Sequence, residues 1–269
     1  MKTRAVGRIK GQNNIMFFIA LLHYPSQRGK HIMNNMTAKE IGRRMQVLGD
    51  KKDAQFLQRF FKTGNGQYGE GDIFLGIRIP VLRRLAKEYP ALTPNQVLPL
   101  LRSPYHEVRV LALIIFVNAF NRGAEKRQRQ IYDIYLANTQ YINNWDLVDI
   151  SAPNIVGAFL MERVRKPLYQ LAKSKSLWER RIAILSTFYF IRNNQYEDTL
   201  QIAKILLYDK EDLIHKAAGW MLREVGKRDR KCAELFLKEH CREMPRTRLR
   251  YAIEKLEPAA RRMYLNGAV

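Results

Sequence analysis

The chain has 269 residues, 46% of them hydrophobic, which is enough to bury a sizeable core and excludes a disordered polypeptide. Its 47 Lys and Arg against 25 Asp and Glu give a formal net charge of +22, so a polyanion is the expected partner, nucleic acid before an acidic membrane surface. The two cysteines, Cys232 and Cys241, and the five scattered histidines make no CxxC, HExxH or HxE pattern, so neither a disulfide framework nor a metal site is expected; the chain also lacks a P-loop and a GxSxG elbow, and no cofactor is expected.

Residues 1–36 carry six Lys and Arg and no acid around an apolar run from Ile15 to Leu22. That run is too short to span a bilayer and has no small-x-small cleavage pattern after it. We read 1–36 as an extension outside the core, with Met33 or Met36 a plausible alternative start, and 37–269 as one domain. A cytoplasmic, nucleoid-associated protein with no membrane partner is expected.

From Thr37 onward apolar residues recur at three and four, and no stretch keeps the alternation of strands. The spacing predicts helices over 37–48, 51–62, 80–89, 94–102, 105–121, 125–138, 152–165, 177–193, 196–207, 211–228, 230–240 and 246–255. Pro90, Pro94, Pro104, Pro153, Pro167, Pro245 and Pro258 punctuate them. Gly64 to Gly71 reads as a flexible glycine-rich loop, because no strand precedes it.

Several helices share a basic residue followed two positions later by Ala or Leu: Arg109/Leu111, Arg181/Ala183, Lys216/Ala218 and Arg250/Ala252, at intervals of 72, 35 and 34 residues. The first interval is twice the others, so a copy is due near position 145. A period of this length belongs to HEAT-like or armadillo-type solenoids, all-α stacks of helix pairs with a concave face, here lined with cations. Lys216, Arg109, Arg250 and Arg248 are candidate phosphate ligands on that face; the alternative for each is a bridge between adjacent repeats.

The segment due near 145 reads Asn143-Asn144-Trp145-Asp146-Leu147-Val148-Asp149. If it is helical, Trp145 and Asp149 stand one turn apart on one face, so a flat aromatic surface and a carboxylate can meet the same ligand. A carboxylate repels phosphate, and a cation developing on a sugar or carried by a modified base would explain its presence. On the residues alone, Trp145 and Trp220 also suit a helical core, Asp149 also suits a cap for a helix starting at 152, and Asp146 is a rival carboxylate with a capping or supporting role.

Four pieces in order, Phe74-Leu75-Gly76-Ile77-Arg78-Ile79-Pro80, Asn144 to Asp149, Trp178-Glu179-Arg180-Arg181-Ile182-Ala183-Ile184-Leu185 and Lys216-Ala217-Ala218-Gly219-Trp220-Met221-Leu222-Arg223-Glu224, resemble the AlkD-like DNA glycosylases of alkylation repair. The resemblance covers nearly everything after Met36. It implies base excision repair by hydrolysis of the N-glycosidic bond of cationic alkylated bases, such as N3-methyladenine and N7-methylguanine, in duplex DNA and without base flipping. It also implies Asp149 as the catalytic carboxylate, Trp145 and Trp220 as residues framing the lesion, and Arg181 and Arg223 as DNA contacts in a monomeric enzyme without cofactor. Phe60 stands where one member of that family has a tyrosine. The rival reading is a non-catalytic nucleic-acid-binding helical-repeat protein.

Overall fold

The computed structural model describes residues 36–269. The expectations for residues 1–35, a non-core extension and an alternative start, lie outside the described residues. Met36 does not belong with them, because its side chain is buried against the core.

The described chain is built from α-helices, and its one β-type pairing is an isolated bridge between Ile73 and Tyr105. In chain order they are α1 Ala38–Val47, α2 Lys51–Phe60, α3 Ile79–Ala86, α4 Pro94–Leu101, α5 His106–Arg122, α6 Glu125–Leu136, α7 Trp145–Ala152, α8 Lys166–Ala172, α9 Leu177–Arg192, α10 Glu197–Ile205, α11 Asp212–Gly226, α12 Arg230–His240, α13 Arg246–Ala252 and α14 Pro258–Leu265. Local chemistry sets many of the starts. Thr37 and Thr93 form capping boxes with Glu40 and Gln96, and Asp50, Ser176 and Asp229 accept from backbone N–H groups in the first turns of α2, α9 and α12.

The helices stack in two rows. In the first, α3 packs on α5, α5 on α7, α7 on α9, α9 on α11 and α11 on α13. In the second, α1 packs on α4, α4 on α6, and α8 on α10. Short loops join the rows, giving the helix-pair stacking expected from the period of about 35 residues. The core is one continuous apolar cluster between the rows. Val108, Leu111 and Phe116 of α5 and Ile182, Leu185 and Phe190 of α9 are all within 1% of fully buried. Gly219 lets α11 lie against α13, since a Cβ there would strike the carbonyl oxygen of Arg248.

Four sequence expectations need correction. Helices α8 and α14 are additional to those expected, being short and bounded by Pro167 and Pro258 where breaks were read. Pro153 does not interrupt its helix: α7 passes into a wide π turn, Pro153–Gly157, and continues through Ala158–Leu160. Widening the turn removes the demand for the N–H that proline lacks. In consequence no helix begins at 152, and Asp149 is not a cap. Finally, the Gly64–Gly71 loop is pinned rather than loose: Gly69 donates to the Lys62 carbonyl, and Asp72 at its end is buried among four side chains.

Candidate active site

The site is built at the start of α7. Asn144 caps the helix, accepting from the N–H of Trp145 at 2.8 Å, and its own amide donates to Asp72 Oδ2 at 3.0 Å. Asp146 follows: its Oδ1 accepts from the Leu147 N–H at 2.9 Å, and its Oδ2 accepts from His106 Nε2 at 2.8 Å. Asp146 thereby joins the first turn of α7 to the His106 ring.

Trp145 is half-buried. One face of its indole lies on Phe61, with ring centroids 5.1 Å apart and planes 14° off parallel, and the edge of Phe60 approaches at 6.1 Å. One turn on, Asp149 receives a bidentate pair from Arg181 of α9, Nε to Oδ1 and Nη2 to Oδ2, both 2.9 Å. The third nitrogen of that guanidinium, Nη1, donates to the Leu213 carbonyl at 2.7 Å. Burial holds the Asp149 carboxyl above the ordinary carboxylate range, with Arg181 opposing the shift.

Two concavities meet at Asp149. One, of about 400 Å³, is largely apolar and is lined by Phe60, Phe61, Ile77, Trp145, Asp146 and Asp149 among others. The second, of about 550 Å³, is lined by Asp149 with Asn118 and Asn154 and by Ile79, Arg83 and Lys87, one face of α3 and the residue that ends it. Arg83 and Lys87 are exposed. The carboxylate thus sits between an aromatic wall and two cations. Sequence reasoning missed Arg83 and Lys87, although their i, i+4 spacing in line with Ile79 is a readable signal. Nothing in the sequence marks Phe61, Asp72 or His106 as neighbours of Trp145.

The remaining expected residues are distributed unevenly. Trp220 is half-buried on α11, beside Phe188 at 5.8 Å and donating to Glu224 Oε1 at 3.3 Å; it lines neither concavity at Asp149. Arg223 pairs with Glu254, and it too lies off both concavities. Lys216 pairs with Asp212 at 2.7 Å and stays partly exposed, and Arg250 is exposed.

Three arginines are corrected. Arg248 is 0% exposed and donates to the Ala203 and Leu206 carbonyls, and Arg109 is buried on Asp72 at 2.5 Å and on the Ser103 carbonyl. Both guanidinium groups are taken up inside the fold, where they tie one segment of the stack to another. Arg181, 5% exposed, is likewise a clamp on Asp149 where a DNA contact was expected. Arg180 points away from Asp149, to Asp209.

A two-row stack of helix pairs with a carboxylate and an indole side by side on its first row defines the class: an all-α helical-repeat protein with a polar site on one row. Residues 41–256 match the family described as DNA alkylation repair enzyme, and the chain belongs to that family. Its fold is also that of a solved structure titled as a predicted DNA alkylation repair enzyme from Enterococcus faecalis, 16% identical, with a TM-score of 0.61 over 78% of this chain and 97% of that one. A Streptococcus mutans crystal structure, also 16% identical, aligns over 82% of this chain and 100% of its own with a TM-score of 0.47. No curated protein matches the chain. Membership makes this a DNA repair protein whose partner is DNA. Among the described residues, no helix is long and apolar enough to cross a membrane.

Proposed function

We propose that the chain is a DNA glycosylase that hydrolyses the N-glycosidic bond of cationic alkylated purines in duplex DNA, acting as a monomer and without flipping the lesion. The observation that carries this reading is the pairing of Asp149, fixed by Arg181, with the Trp145 indole at the mouth of one cavity. A purine alkylated at N3 or N7 already bears positive charge and leaves as a neutral base, so its departure needs little acid catalysis. What needs help is the sugar, which becomes an oxocarbenium ion as the C1′–N bond breaks.

Asp149 supplies a fixed negative charge toward that sugar, in a setting where water is scarce and the field correspondingly stronger. When water adds to C1′, one of its protons passes to Asp149 and then to solvent, and the bound electron pair of the broken bond stays with the base. A carboxyl held above its ordinary pKa is the better proton acceptor. The indole face of Trp145 favours a cation, whether on the base or on the sugar, and a neutral purine gains less. The Arg83 guanidinium, the Lys87 ammonium and the Asn118 and Asn154 amides on one side of Asp149 suit a sugar and its phosphates better than the full edge of a base.

The test is release of free N3-methyladenine and N7-methylguanine from alkylated duplex DNA under single-turnover conditions. Asp149→Asn is expected to slow release by about 10²-fold or more while duplex binding persists. Equal release by both chains would remove Asp149 from the mechanism; no release by either, with binding retained, would make the chain a non-catalytic binder. Fluorescence of 2-aminopurine beside the lesion should stay quenched on binding, whereas a flipped lesion would brighten it.

A further inference from the structure

We infer that His106 is a positioning residue for this site: clamped between Asp72 and Asp146 and packed against Phe74 and against Phe61, the ring on which Trp145 lies, it sets the orientation of Trp145 beside Asp149. The inference rests on the glycosylase reading for its activity measurement alone.

An aromatic cluster joins the imidazole to the cavity. His106, 1% exposed, stacks on Phe74 with centroids 4.4 Å apart and planes 24° off parallel, and it meets Phe61 at 5.1 Å and 43°; Phe74 and Phe61 lie 4.9 Å apart at 24°, and Phe61 carries Trp145 at 5.1 Å and 14°. The same imidazole holds the helix that carries Trp145, through Nε2 to Asp146 Oδ2 at 2.8 Å, while Nδ1 faces Asp72 Oδ2 at 3.1 Å. Asp72 also accepts from Arg109, Asn143 and the Asn144 cap, and Asp146 accepts from the Leu147 N–H. Both carboxylates are therefore acceptors, and each ring nitrogen must carry a hydrogen, so the ring is an imidazolium.

The charges close on themselves. Asp72 from the loop and Asp146 from α7 balance His106 and Arg109 from α5. The neighbouring Glu107 carboxylate is occupied by the N–H groups of Leu75, Gly76 and Ile77, and Asp149 of α7 is occupied by Arg181. Arg78 and Arg83 of the α3 segment line the same cavity as His106. Burial works against the imidazolium, but Asp146 and then Asp72 outweigh it and hold the His106 pKa at about 9. When the proton is lost, one ring nitrogen turns a lone pair toward a carboxylate, and the contact to Asp146 or to Asp72 must open. Trp145, the residue before Asp146, then loses its fixed direction.

Excision of N3-methyladenine across pH 7 to 10, corrected for spontaneous release, should fall along an alkaline limb near pH 9. Asp146→Asn removes the larger of the two supports for the charge, and its limb should move to lower pH. His106→Gln offers donors on one side only, its oxygen facing the other carboxylate, and should slow excision by about 10²-fold with duplex binding and helical circular dichroism kept. The double variant His106→Gln/Asp146→Asn should recover part of that loss, because the glutamine oxygen can accept from the new amide. A purely structural His106 would lower activity without moving the limb, and that result overturns the inference. In a Trp178→Phe/Trp220→Phe chain, acrylamide quenching of Trp145 should rise through pH 9 and be high at every pH once His106→Gln is added. Unchanged quenching also overturns it. If no variant nor the parent releases base, the glycosylase reading fails while the quenching experiment still decides the role of His106.

Discussion

At the scale of single residues, the site turns on how Asp149 and Arg181 share one ion pair. A bidentate guanidinium fixes both carboxylate oxygens in a plane, leaving their outer lone pairs for a water or a sugar. It also lowers the proton affinity that burial raises. The two effects separate in Arg181→Met: burial remains and the opposing cation goes, so the Asp149 pKa should rise further. Activity that requires the ionised carboxylate is lost as pH falls through that pKa, so the acid limb of the excision profile should move to higher pH than in the parent chain. The same change leaves a buried charge unpaired and should reduce unfolding free energy by about 3–5 kcal/mol. Arg181→Lys keeps one charge and should move the limb less; a limb that does not move in either variant would show that Arg181 does not tune Asp149.

At the scale of elements, α7 and the loop before α3 hold one another. Asp72 receives Arg109, His106 and Asn144, and its pKa is lowered to about 2, the burial that opposes ionisation being outweighed by these partners. A depressed carboxylate contributes stability that is present above its unfolded pKa and lost as pH falls through the folded one. The raised His106 contributes stability present below its unfolded pKa of 6.5 and lost as pH rises through about 9. Thermal melts should therefore weaken both as pH falls below about 4 and as it rises from 6.5 to about 9, and Asp72→Ala should flatten the acid side while lowering stability by about 3–5 kcal/mol at neutral pH. An unchanged acid side in that variant would remove Asp72 from this role. The sequence shows Trp145 and Asp149 because an i, i+4 pair keeps its meaning on any helix, and the repeat period places Arg181 on the next one. It hides the Asp72 cluster because the contact is made by a loop, and loops have no period. It also misplaces the break at Pro153, where a π turn absorbs what proline would otherwise disrupt.

At the scale of the molecule, a repeat period fixes how far along the stack a side chain lies but not which way it turns. Arg248 and Arg250 show the limit. They are two residues apart on α13, hence about 200° apart around the axis, and one is fully buried on two carbonyls while the other is exposed. Reading cations by count alone therefore overstates the number that can meet DNA; the ones that matter are exposed and share a surface with Asp149. Arg83 and Lys87 meet both conditions. Each phosphate neutralised adds about 0.9 to the slope of log affinity against log salt, because counterions are released from the duplex. Arg83→Ala and Lys87→Ala should each lower that slope by about 1, with little dependence on sequence. Arg248→Met should leave the slope untouched and lower the melting temperature instead, since its guanidinium satisfies buried carbonyls of the preceding repeat. Titrations of a duplex carrying one lesion, run from 50 to 200 mM salt, distinguish the two kinds of arginine. A slope that changes with Arg248 but not with Arg83 or Lys87 would place the DNA on another face of the stack.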